Sequence, residues 1–147
     1  MSNTDVFKAT LAALEAHDMK KVEGLISDEF KLAGPVPQPI GKREYVGLMG
    51  AVIAAMPDWK FNASDLKEQG DQVSGKFHIS GTQTATLSLP AVGIQSFGAT
   101  GKHVQLPYEK ITATFKNGQM TRLESDNTKG GGLGGVLAQI GAPMPKP

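Results

Sequence analysis

The segment Tyr45-Val46-Gly47-Leu48-Met49-Gly50-Ala51-Val52-Ile53-Ala54-Ala55-Met56-Pro57-Asp58-Trp59 holds the change of pattern on which the fold turns. Tyr45, Leu48, Met49, Val52, Ile53 and Met56 recur every three or four residues, one apolar stripe of a helix. Pro57 ends that helix, because proline has no backbone N–H and its ring clashes with the preceding turn. From Trp59 the period falls to two. Trp59, Phe61 and Ala63 alternate with polar neighbours, as on a half-buried strand.

Before this segment the chain reads as helical. Asn3, Thr4 and Asp5 offer capping oxygens for a first helix carrying Phe7, Leu11 and Leu14 on one side. Asp18 caps a second, shorter helix with Val22, Leu25 and Ile26. Phe30 and Leu32 alternate like a short strand, and Gly34 to Pro39 is an extended connection that proline bars from helix. After it the chain reads as strands. Gly70-Asp71 is a turn. Val73 to Thr86 is a long strand with Val73, Phe77 and Ile79 on one face and Lys76, His78 and Ser80 on the other. Leu87 to Gly101 reads as a long connection, and Val104 to Phe115 as a strand bent at Pro107. Asn117-Gly118 marks a hairpin, and Met120 to Asp126 is the last strand. Helices gathered before an antiparallel meander predict an α+β domain, with a cavity where a twisted sheet wraps the helices.

The whole chain of 147 residues fits one domain. The expected boundaries are 1–129 for that domain and 130–147 for a Gly/Pro-rich tail with a short helical segment, Val136 to Ile140. Fifteen Lys and Arg against fourteen Asp and Glu leave a net charge of +1, with no basic stripe for a nucleic acid to follow. The absence of cysteine excludes disulfides, thiol nucleophiles and Cys-ligated metals. No apolar run reaches membrane-span length and the N-terminus lacks a secretory pattern, so a cytoplasmic location is expected.

Several short stretches resemble the SnoaL-like polyketide cyclase family: Leu25 to Phe30, Gly34 to Pro37, Gly41 to Tyr45, Met56 to Trp59, Gly70 to Val73, Ser80 to Gln83, Thr100 to Lys102, and Asn117 to Met120. The likeness spans Asp5 to Asp126 and lies in order and spacing. It implies an NTF2-like cone, a curved antiparallel sheet wrapped around three N-terminal helices, and a homodimer through the outer sheet face. It also implies a small apolar or aromatic ligand, no cofactor and no metal. Family cyclases use an acid near the end of the last strand as general acid/base in an aldol-type ring closure.

The resemblance points to Asp126, with Glu124 as neighbour. Both fall on one strand face together with Arg122, and that face either lines the cone or is solvated. A carboxylate in an apolar pocket would hold its proton to higher pH and could exchange it near neutrality. Gln83 stands where relatives often carry histidine; its amide orients a carbonyl but cannot shuttle protons. Tyr108 opposite Asp126 is the pairing a ketosteroid-isomerase-like reaction would need. His78 is a candidate polar contact, and Trp59, Met49 and Phe77 are candidate walls that serve equally as core. His17 and His103 read as surface. The functional alternatives are an acid–base cyclase, a non-catalytic binding or dimerisation module, and an isomerase.

Gly130, Gly132 and Gly135 spell GxGxxG, but a dinucleotide site needs a further parallel strand and an acidic residue beyond, and no acid follows Gly135. The run reads instead as a connector that folds Val136, Leu137 and Ile140 over the cone mouth or a partner subunit.

Overall fold

The computed structural model describes residues 2–33, 39–89, 94–126 and 128–142. The expected extended connection therefore lies largely outside the described residues, as does the Pro-rich end. The chain opens with α1 (Asn3–Glu15) and α2 (Met19–Leu25), then β1 (Ile26–Ala33), the short β2 (Ile40–Gly41) and α3 (Lys42–Ala55). Strands β3 (Ser64–Gln69), β4 (Gln72–Phe77), β5 (Ser80–Thr82), β6 (Leu87–Leu89), β7 (Ile94–Phe97), β8 (His103–Gln105), β9 (Glu109–Lys116) and β10 (Gln119–Ser125) follow. Helix α4 (Gly132–Ile140) comes last.

The helices start and stop for local reasons. Ser2 caps α1 through a reciprocal pair with Asp5, one residue earlier than the expected cap. Asp18 caps α2 by accepting from the Lys21 amide. Helix α3 buries Tyr45, Met49, Val52, Ile53 and Ala55 and ends before Pro57.

Six strands form one sheet in the order β2-β1-β10-β9-β4-β3. Its neighbours are antiparallel except β1 and β10, which run parallel. The sheet is thus mixed rather than wholly antiparallel. The two parallel strands lie at opposite ends of the chain, so no tight turn dictates their direction. The β9–β10 hairpin turns through Asn117 (φ 53°) and Gly118 (φ 77°), the doubly left-handed geometry that Asn-Gly favours.

Several strand limits differ from the sequence reading. Trp59 to Ala63 is a connection rather than a strand, joined to the next segment by the Lys60–Ser80 bridge and by the His78 amide donating to the Phe61 carbonyl at 2.9 Å, and the edge strand begins at Ser64. The long strand expected from Val73 is broken after Phe77, and the one expected from Val104 is broken around Pro107, which has no amide to donate. Strands β5 and β8 pair beyond these breaks as a separate ribbon, and β6 and β7 pair within the expected long connection.

The inner sheet face and the helices share one core. Phe7 lies against Phe77 and Phe115, and Phe61 against Phe77 and Trp59. Val136, Leu137 and Ile140 of α4 are buried in it as well.

Candidate functional site

Between α3, the inner face of the sheet and α4 lies an apolar cavity of about 100 Å³. Tyr45, Leu48, Met49 and Val52 form the α3 wall, and Trp59, Phe61, Phe77 and Ile79 form a second. Leu32, Ile111 and Leu123 come from the sheet, while Gly132, Leu133 and Val136 of α4 close one side. Among the described residues that line it, Glu109 is the one carboxylate.

Glu109 opens β9, whose buried positions alternate as Glu109, Ile111, Ala113 and Phe115. An acid in phase with three apolar residues must face the core, and Glu109 is 2% exposed. Its Oε1 accepts the Gly132 amide at 2.9 Å and the Ser125 hydroxyl at 3.3 Å. Its Oε2 is buried without a hydrogen-bond partner. Burial pushes the carboxyl above the usual glutamate range; the Gly132 and Ser125 bonds oppose this, and the nearby Asp126 charge adds to it.

Glycines let the C-terminal segment approach this carboxyl. A β-carbon on Gly131 would stand 2.7 Å from Glu109 Oε1, and one on Gly135 would run into the Gly130 carbonyl. The GxGxxG run thus brings bare backbone against the chain's own carboxylate.

The residues expected from sequence divide clearly. Trp59, Met49 and Phe77 line the cavity. Asp126 is exposed; its carboxylate accepts from the Lys110 amide at 3.2 Å and from the Thr128 hydroxyl at 2.5 Å. Arg122 and Glu124 are exposed too and pair with each other. That face of β10 is therefore the outer one: an irregularity after Met120 shifts the alternation, and Leu123 and Ser125 are the residues turned to the cavity.

Tyr108 is 59% exposed and stacks on His78 at 4.0 Å, so neither side chain lines the cavity. Gln83 is fully buried, but its amide is spent on the chain around it. It donates to Ala85, Phe97 and Gly98 carbonyls and accepts from the Thr100 amide and hydroxyl. The sequence reading missed Glu109. The signal was present: it sits two residues before Ile111, on the apolar phase of its strand.

The SnoaL-like domain model matches residues 7–123, most of the length. The chain belongs to the SnoaL-like family. Solved structures agree on the fold. The SnoaL-like chain resembles AclR, a proposed hydroxylase from Streptomyces galilaeus, with TM-score 0.71, 14% identity and 95% of each chain covered. It resembles a SnoaL-like polyketide cyclase from Agrobacterium tumefaciens with TM-score 0.65 and 18% identity, over 85% of this chain and 90% of that one. An NTF2-like protein of unknown function from Cytophaga hutchinsonii gives TM-score 0.58 and 15% identity, over 85% and 88%. At these identities the likeness establishes the NTF2-like fold and leaves the chemistry to the site. No curated protein matches this SnoaL-like chain significantly. Among the described residues no helix is long and apolar enough to cross a membrane, and no cluster of potential metal ligands occurs.

Proposed function

We propose that this SnoaL-like protein is an acid–base enzyme of the polyketide-cyclase type, acting without a cofactor on a small apolar or ring-containing molecule, with Glu109 as the acid/base. The observation that carries this reading is the placement of one half-satisfied carboxyl, Glu109, in an otherwise apolar cavity. A carboxyl held above its usual range can both take and give a proton near neutrality. In an aldol-type closure its ionised form removes a proton from the carbon beside a carbonyl. The new carbon–carbon bond leaves an alkoxide, and the same carboxyl returns the proton to it. Asp126, the residue to which the family resemblance points, enters this reading as the charge that helps keep Glu109 protonated.

The isomerase alternative draws support from Tyr45, which lines the cavity where Tyr108 does not. Burial raises the Tyr45 hydroxyl far above its ordinary value, leaving it a neutral donor. A homodimer through the outer sheet face belongs to the same family reading, and light scattering on the purified chain tests it; the cytoplasmic setting rests on the sequence reading alone.

The test is exchange of the α-protons of cyclopentanone in D2O, followed by NMR. Wild type should accelerate exchange, Asp126→Asn should keep most of that activity, and Glu109→Gln should lose roughly 10²–10⁴-fold. Exchange that is absent in wild type, or undiminished in Glu109→Gln, overturns the catalytic reading in favour of a non-catalytic binding module.

A further inference from the structure

Three side-chain polar atoms among the described residues are buried without a hydrogen-bond partner: Ser27 Oγ, Trp59 Nε1 and Glu109 Oε2. Two of the three, Trp59 and Glu109, belong to residues that line the apolar cavity described above. Trp59 is 5% exposed, and leaving a buried donor unmet costs on the order of 1–3 kcal/mol. Packing alone does not demand an indole there. Its neighbours in the wall, Phe61 and Phe77, fill the same kind of position with rings that carry no polar atom. An indole N–H only donates, so whatever satisfies it must bring an acceptor.

The second unmet atom narrows the occupant. Glu109 Oε1 already accepts two hydrogen bonds, so in the protonated acid the hydrogen sits on Oε2, giving the cavity a second donor. Among the described residues, no Lys, Arg or His lines the cavity to neutralise an anion. Protonated, Glu109 adds a donor; ionised, as it must be to take a proton, it repels an anion. In either state the apolar walls suit an uncharged carbonyl compound and disfavour a carboxylate or phosphate.

We propose that Trp59 Nε1 is the anchor for a substrate carbonyl oxygen, and that the site selects neutral ring ketones over hydrocarbons of the same shape. This deepens the acid–base reading, since the bond that the indole makes would hold the carbonyl whose α-proton Glu109 takes. Trp59 is the sole tryptophan, so its indole N–H gives a single, separate resonance in a proton–nitrogen correlation spectrum.

The experiment titrates the full chain with cyclopentanone and with methylenecyclopentane, which replaces the carbonyl oxygen by a CH2 group. Both probes are close to benzene in size, which an apolar cavity of about 150 Å³ takes, so the cavity of about 100 Å³ must widen slightly to admit either one and the comparison between them is unaffected. The ketone should move the indole proton downfield, and the hydrocarbon should not. The ketone should also bind roughly three- to tenfold tighter, a preference that Trp59→Phe abolishes. An indole resonance that the ketone leaves in place, whether or not it binds, overturns the proposal. So does an equal preference in wild type and Trp59→Phe.

Because the wild-type spectrum alone decides, a poorly folded variant does not blunt the test. Repeating the titration in Glu109→Gln separates the two readings. Loss of α-proton exchange with the indole shift retained supports both. An indole shift without exchange in wild type removes the catalytic reading only, and exchange without an indole shift removes the anchor only.

Discussion

The Gly132 amide donates to Glu109 Oε1 across 2.9 Å, so the first turn of α4 is fastened to the acid in the cavity floor. Residues far apart in the chain thereby share one polar contact inside an apolar space. The same bond orients the carboxyl and holds α4 over the cavity. The Gln139 side chain adds a second fastening: its Oε1 accepts the Gln105 amide at 2.9 Å and its Nε2 donates to the Gln105 carbonyl at 2.8 Å.

Glu109 makes stability depend on pH in a direction opposite to a paired surface acid. Its folded form keeps the proton above the ordinary glutamate value of 4.5, because burial disfavours the charge. The native state then binds more protons than the unfolded chain between those two values. The contribution is fully present below the unfolded value and is lost as pH rises through the folded one. Glu109→Gln keeps an acceptor for Gly132 and cannot ionise. Urea unfolding across pH 4 to 9 should show wild type losing stability with rising pH relative to Glu109→Gln. A constant difference between the two would remove the buried-acid assignment.

Asp126 acts on that carboxyl through charge alone. Removing the charge in Asp126→Asn should lower the folded pKa of Glu109, since a like charge disfavours ionisation. The pH dependence just described should shift toward acid, and so should the profile of α-proton exchange. A profile that moves toward alkali, or does not move, contradicts the proximity of the two carboxyls.

Gln83 is expected to matter for folding and little for chemistry. Its amide bonds three carbonyls and two donors, joining the chain after β5 to the segment after β7. Gln83→Leu has similar bulk and leaves those groups unmet inside the protein. The expected loss is about 2–4 kcal/mol in urea unfolding, with Glu109-dependent exchange retained in the folded fraction. Unchanged stability would mean the loop re-forms its bonds elsewhere.

What could be read from sequence follows from what repeats locally. The α3 stripe and the Asn117-Gly118 turn announce themselves because their periods and torsions are properties of adjacent residues. The parallel pairing of β1 with β10 has no local signature, since it joins strands separated by nearly the whole chain. The site failed for a subtler reason. The irregularity after Met120 turns Arg122, Glu124 and Asp126 outward, and nothing in that stretch of sequence marks it. Glu109 was legible in principle: one acid stands in phase with Ile111, Ala113 and Phe115. Two things mask it: the family resemblance points to the last strand, and the strand break at Pro107 isolates Glu109 from the pattern before it. The cavity walls Trp59, Met49 and Phe77 were found because wall and core ask for the same residues.

Gly135 offers a test in which two physical effects predict opposite signs. It lies within α4, where replacing glycine by alanine ordinarily stabilises by roughly 1 kcal/mol. Here the added β-carbon would run into the Gly130 carbonyl, a backbone atom, and stand 3.2 Å from Leu106 Cδ2. Overpacking of this kind costs typically about 1–3 kcal/mol, and a rigid backbone partner puts it toward the upper end. The steric effect should therefore win, and Gly135→Ala should melt several degrees lower than wild type. Hydrogen exchange locates the damage. The amides of α4 should lose protection as the helix lifts from its seat, while those of β4 and β9 keep theirs. Lifting α4 also breaks the Gly132 bond to Glu109 and uncovers Leu133 and Val136. A dye that fluoresces in apolar sites should then bind the variant more strongly. A variant with raised melting temperature and undiminished α4 protection would mean that the close approach of Gly135 to Gly130 does not hold in solution. The seating of α4 over the cavity would then have to be redrawn.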